Sequence, residues 1–120
     1  MTIAHSLDTL VRACALTDLE VERGRAALFG KTQIALFLLA DGTVHAVANL
    51  DPYSGAQVMS RGIVGTRDGA PTVASPMHKQ VFDLRTGLCV ATQGRPPAML
   101  RVWPVVMHDG DVLIHLGELR

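Results

Sequence analysis

The chain has 120 residues, of which 48% are hydrophobic and 4% aromatic, and eleven Lys and Arg balance eleven Asp and Glu. That length supports one folded core spanning residues 1–120, and the apolar content excludes a disordered chain. The charge balance offers nothing to draw nucleic acid or an anionic membrane surface, and no block of like charge forms a tail.

The first ten residues, "MTIAHSLDTL", lack a positive region followed by an apolar stretch, so no secretory signal is expected and the chain is read as cytoplasmic. "LTDLEVERG" (16–24) is one of two stretches short enough to be a brief helix, and it ends at glycine. "RAALF" follows as a strand, then the turn Gly30-Lys31. "TQIALFLLA" and "TVHAVANL" are β-rich runs separated by Asp41-Gly42, the strongest short hairpin signal in the chain. The apolar run 34–40 is about a third of a membrane span and reads as a buried strand. "GAQVMSRG" (55–62) is the second candidate helix, about two turns between glycines. "TVAS", "QVFDL", "LCVA", "LRVWPVVMH" and "DVLIHL" complete the strands, with turns at Arg67-Asp68-Gly69, Arg85-Thr86-Gly87 and Asp109-Gly110. In the last strand Val112, Ile114 and Leu116 share one face, Leu113 and His115 the other. Many short strands and no sustained helical period predict a small all-β barrel or sandwich with its core at about 10–116.

Familiar chemical motifs are absent. "GRAALFGKT" has five residues between Gly24 and Gly30 where a phosphate loop has four, and Thr32 runs into a strand rather than a helix. Lys31 is therefore read as a solvated turn residue. Cys14 and Cys89 form no Cys-x-x-Cys unit and are read as small buried hydrophobes. Among His5, His45, His78, His108 and His115 no pair has zinc-site spacing. His45 and His115 fall within strands, and His108 adjoins a turn in solvent. No nucleophile elbow or basic-aromatic face is present.

His78 differs because of its neighbours. "SPMHKQVFDLRTG" resembles the second ligand box of Rieske proteins, Cys-Pro-x-His before a short strand, and "NLDPYSGA" resembles the first, Cys-x-His-x-Gly-Ala. By that resemblance Asp51 and Ser75 stand for the two cysteines and Tyr53 for the first histidine, and His78 alone keeps its identity. A Rieske centre needs two thiolates and two imidazoles. One carboxylate, a phenol and an alcohol do not replace them, so no cluster is expected. A mononuclear metal held by Asp51, Tyr53 and His78 is the weaker alternative. The residues are expected instead to bond to one another and hold two loop tips together.

"NLDPYSGAQVMSRGIVG" with "VASPMHKQVFDLRTGLCV" is similar to the small subunits of assimilatory NADH-dependent nitrite reductase, over about residues 10–116. The resemblance implies a Rieske-like domain without catalytic, cofactor or metal residues of its own. It would serve as an accessory to a large subunit that carries FAD, sirohaem and a four-iron cluster and reduces nitrite to ammonium with NADH. It also implies a docking tip of Pro52, Tyr53 and Ser54 beside Met77, His78 and Lys79. An electron-transfer Rieske ferredoxin and a cluster-free interaction module for another oxidoreductase are the rival readings.

Overall fold

Short strands joined by tight turns make up the computed structural model, which describes residues 10–117. His5 and the stretch read for a secretory signal lie outside the described residues, apart from Leu10. The strands in chain order are β1 (Leu10–Ala15), β2 (Gly24–Phe29), β3 (Thr32–Leu38), β4 (Val44–Ala48), β5 (Ile63–Arg67), β6 (Ala70–Ala74), β7 (Val81–Asp83), β8 (Cys89–Ala91), β9 (Val102–Trp103), β10 (Val105–His108) and β11 (Asp111–His115). They form antiparallel sheets in the orders β1-β11-β10, β2-β3-β4-β9 and β5-β6-β7-β8.

The β2-β3-β4-β9 sheet is covered on both faces, which is why "IALFLLA" is apolar without alternation. Ile34, Leu36, Val44 and Ala46 point to one side, where they meet Cys14, Val112 and Ile114 of β1 and β11. Ala35, Phe37 and Val47 point to the other, where they meet Val73 and Phe82 of β6 and β7. The hairpin at Asp41-Gly42 forms as the sequence indicates. Asp41 Oδ1 accepts the Thr43 N–H at 2.9 Å and the Thr43 hydroxyl at 2.7 Å, and Gly42 has φ +89°.

Neither candidate helix extends beyond one turn. In the first, only Leu16–Asp18 is helical, as a 3-10 turn whose Asp18 carboxylate accepts the Ala15 N–H at 3.0 Å. In the second, only Met59–Arg61 is helical. There the buried Asn49 side chain holds the backbone by other bonds. It donates to Gln33 Oε1 at 3.0 Å and the Gln57 carbonyl at 3.2 Å, and accepts from Ser60 N–H at 2.7 Å. These bonds draw the chain close over Met59, which is fully buried. The stretch "LRVWPVVMH" is two strands: Pro104 supplies no N–H and divides β9 from β10, which join different sheets.

One turn fixes the position of the β7–β8 end. Gly87 has φ +80°, and a Cβ there would land on the Leu100 carbonyl oxygen, while Leu100 N–H donates to Gly87 O at 2.8 Å. Gly87→Ala therefore meets both a disfavoured backbone conformation and a backbone clash. Chemical denaturation should show it less stable by about 3 kcal/mol; a change under about 0.5 kcal/mol, the level of an ordinary surface site, would show that this packing yields freely.

Candidate functional site

Two closed loops face each other at one end of the β5–β8 sheet. The first is sealed by the bridge between Leu50 and Gln57, and within it Asp51 N–H donates to Ala56 O and Gly55 N–H to Asp51 O, both at 2.8 Å. The second continues the β6–β7 hairpin. Ser75 N–H donates to Gln80 O at 2.9 Å, and Lys79 N–H to Ser75 O at 3.0 Å.

A single short bond joins them. The Ser75 hydroxyl donates to Asp51 Oδ2 at 2.6 Å, and both residues are buried, 1% and 0% exposed. Asp51 Oδ1 accepts the Tyr53 N–H at 2.8 Å and, at the long end of the range, the Ser54 N–H at 3.4 Å. Ser75 Oγ in turn accepts the Met77 N–H at 3.2 Å. Burial pushes the Asp51 carboxyl up, but the bonds from Ser75, Tyr53 and Ser54 outweigh it and hold it below the usual carboxylate range. The carboxylate is thus ionised, buried and supplied with donors.

Tyr53 is held elsewhere. Its ring packs on Phe82 with centroids 6.1 Å apart, and its hydroxyl donates to the Pro96 carbonyl at 2.8 Å and lies 3.5 Å from Cys89 Sγ. Burial and then Cys89 raise its phenol above the ordinary value. A third loop, residues 92–99, therefore belongs to the tip. Gln93 Nε2 also ties it to the Lys79 carbonyl at 3.0 Å. Pro96-Pro97 and Gly94 mark this segment as a loop, but nothing local in the sequence indicates that it reaches Tyr53. Cys89 differs from the expectation as well. It is half-buried and borders the site, because β8 carries it beneath Tyr53.

The remaining tip residues face outward. Pro52, Met77, His78 and Lys79 are exposed, and Lys79 takes the left-handed conformation at φ +65°. His78 is not part of the hydrogen-bonded set around Asp51. The other histidines lie apart: half-buried His45 sits on β4 with Nε2 3.2 Å from Thr43 Oγ1, its pKa lowered chiefly by burial. His108 is exposed beside Asp109, and His115 is half-buried on β11. Lys31 is exposed at the turn between β2 and β3.

The four positions do not fit a two-iron cluster. Asp51 and Ser75 are bonded to each other and present oxygen where the cluster takes sulfur, and the Tyr53 hydroxyl is turned to the third loop. Among the described residues no group of three or more His, Cys, Asp and Glu could hold a metal ion.

Facing loops on a layered antiparallel frame define a Rieske-like domain. The family model described as "Rieske-like [2Fe-2S] domain" matches residues 9–115. A solved structure from Mycobacterium tuberculosis, described as an NADH-dependent nitrite reductase small subunit, superposes with a TM-score of 0.80 at 44% identity, over 88% of this chain and 92% of that one. The Escherichia coli nitrite reductase (NADH) small subunit is 40% identical over 78 residues, 64% of this chain and 72% of its own. A Klebsiella oxytoca protein named nitrite reductase [NAD(P)H] large subunit is 41% identical over 106 residues, 88% of this chain but only 11% of its own length. The chain belongs to the Rieske-like family, in its branch of nitrite reductase small subunits.

The lowered Asp51 pKa has a defined consequence for stability. A carboxyl whose folded pKa lies below its unfolded value stabilises the fold above the unfolded pKa, and the contribution is lost as pH falls through the folded pKa. Asp51→Asn should be less stable than wild type by about 1–3 kcal/mol at neutral pH, the size of a charged hydrogen bond. The gap should narrow as pH drops below about 4. Parallel pH profiles for the two proteins would show that the Asp51 charge contributes nothing.

Proposed function

We propose that this chain is a small accessory subunit of a cytoplasmic NADH-dependent nitrite reductase, working as a single domain with no metal centre of its own. The observation that carries the cluster-free reading is the Ser75–Asp51 bond: the two positions that would hold sulfur are joined to each other. The identity to small subunits, 40% and 44%, supports the assignment to this enzyme. The Klebsiella relationship supports association with the large subunit, since a segment like this one lies within a protein of that name. On this reading FAD, sirohaem, the four-iron cluster and the use of NADH belong to the large subunit, where nitrite is reduced to ammonium. This chain contributes binding and positioning.

Two features support a cytoplasmic setting. Neither cysteine is disulfide-bonded, and no helix among the described residues is long and apolar enough to cross a membrane. For docking we propose the tip itself, with Pro52, Met77, His78 and Lys79 outermost. Tyr53 stands behind them and fixes the three loops. Oxygen rather than sulfur at Asp51 and Ser75 weighs against the ferredoxin alternative.

The test uses the purified chain and its large subunit. The small subunit alone should contain no stoichiometric iron, and chelator should leave its thermal midpoint unchanged, unlike a domain whose metal-binding energy is folding energy. Mixed with the large subunit it should co-elute. A chelator-induced fall in midpoint would overturn the cluster-free reading, and failure to co-elute would overturn the subunit assignment.

A further inference from the structure

The β5-β6-β7-β8 sheet buries one face and leaves the other partly open: Thr72 and Asp83 on that outer face are buried, while its β5 edge is exposed. On the buried face Val64, Val73 and Phe82 are paired across the strands and pack into the core. On the open face the register places Ile63 opposite Ala74, Ala74 opposite Val81, and Val81 opposite Ala91. This gives one continuous apolar row across four strands. Ile63 is 75% exposed and the other three are half-buried. Gly65, two residues along β5 on the same face, adds no side chain, so the row forms the floor of a shallow groove bordered by Gln93 and Arg67. A row of this kind is ordinary inside a sandwich, where a second sheet covers it; here nothing of this chain among the described residues does.

The exposed charge in this part of the chain is predominantly positive. Between residues 52 and 99 the exposed charged side chains are Arg61, Arg67, Lys79, Arg85 and Arg95 against Asp68 alone. Asp83 is buried and paired with Arg85 at 3.0 Å. Arg67 borders the groove at the β5–β6 turn. At the other end Gln93 both lines the groove and donates to the Lys79 carbonyl, so this side chain links the groove to the second loop of the tip. An occupant must be apolar at its centre and acidic at its margins. A second copy of this chain would bring the same cations against them, so a symmetric dimer through this face is disfavoured.

We propose that the open face of β5-β6-β7-β8 is the seat of the nitrite reductase large subunit, which would set an apolar projection on the Ile63–Ala74–Val81–Ala91 row and carboxylates against Arg67 and Lys79. This rests on the accessory-subunit reading above, and it places the interface centre on the sheet, with the loop tip as its edge. Electrostatic attraction brings the surfaces together and the apolar row holds them.

The experiment measures the dissociation constant between the purified small subunit and its own large subunit. Ile63→Glu and Arg67→Glu are compared with Leu28→Glu, a change at another exposed apolar position, on β2. All three sites are exposed, and thermal midpoints confirm folding. Ile63→Glu should weaken binding about thirtyfold or more, as loss of an interface anchor does. Arg67→Glu should weaken it and flatten its salt dependence, and Leu28→Glu should leave it unchanged. Wild-type affinity in both groove variants, with a complex still formed, would overturn the proposed seat alone. Loss of a homodimer in Ile63→Glu, with large-subunit binding intact, would overturn it in favour of self-association. No complex with the wild-type chain would overturn both this seat and the accessory-subunit reading.

Discussion

A carboxylate removed from water must be given donors or it will take up a proton, and at Asp51 this requirement organises the whole tip. The side chain collects the Ser75 hydroxyl and two backbone N–H groups from its own loop, while Ser75 Oγ takes the Met77 N–H. Residues 24 positions apart in the chain are thereby fixed within one bond length of each other. In a metal-bearing relative of this fold a cluster would join the two loops covalently. In this structure the Ser75–Asp51 hydrogen bond joins the two loops. They place Pro52, Met77, His78 and Lys79 on the outside, and the rest of the site follows from that placement.

The frame beneath explains why so small a clasp is sufficient. β3 and β4 are buried on both faces and anchor the sheets on either side, so the loops do not have to create a core. They have only to close one end of it. Tyr53 links the layers, with its ring on Phe82 of the core and its hydroxyl on the third loop. The outer sheet face next to the tip then stands out as apolar surface that no second layer among the described residues covers. The architecture separates a hydrogen-bonded tip, in which the buried Gln80 Oε1 is left without a partner, from the outer sheet face beside it.

Much of this was legible in the sequence, and the exceptions have physical causes. The Asp41-Gly42 hairpin and the alternation of Val112 and Ile114 are local signals, and the structure follows them. The Rieske-like character was visible because the two box segments resemble the family, and the family model matches residues 9–115. "LVRACA" was not read as a strand because β1 carries a register shift between Arg12 and Cys14, which breaks its alternation. "IVGTR" was missed because four of its five residues are exposed and its pairing with β6 alone defines it. The two helices were over-read, since glycine-bounded polar segments look the same whether a helix or side chains such as Asn49 satisfy the backbone. The roles of Pro96, Gln93 and Cys89 depend on contacts that span 43, 14 and 36 residues, and no local pattern encodes them.

The Ser75–Asp51 bond fastens the two loops to each other. A double-mutant cycle tests it most directly, comparing Asp51→Ala, Ser75→Ala and the double variant by chemical denaturation at neutral pH. Two groups that act as a unit should show a coupling energy of about 1–3 kcal/mol, with the double variant far less destabilised than the sum of the single ones. Additive effects, within about 0.3 kcal/mol, would show that the two side chains contribute separately and that something else holds the tip closed.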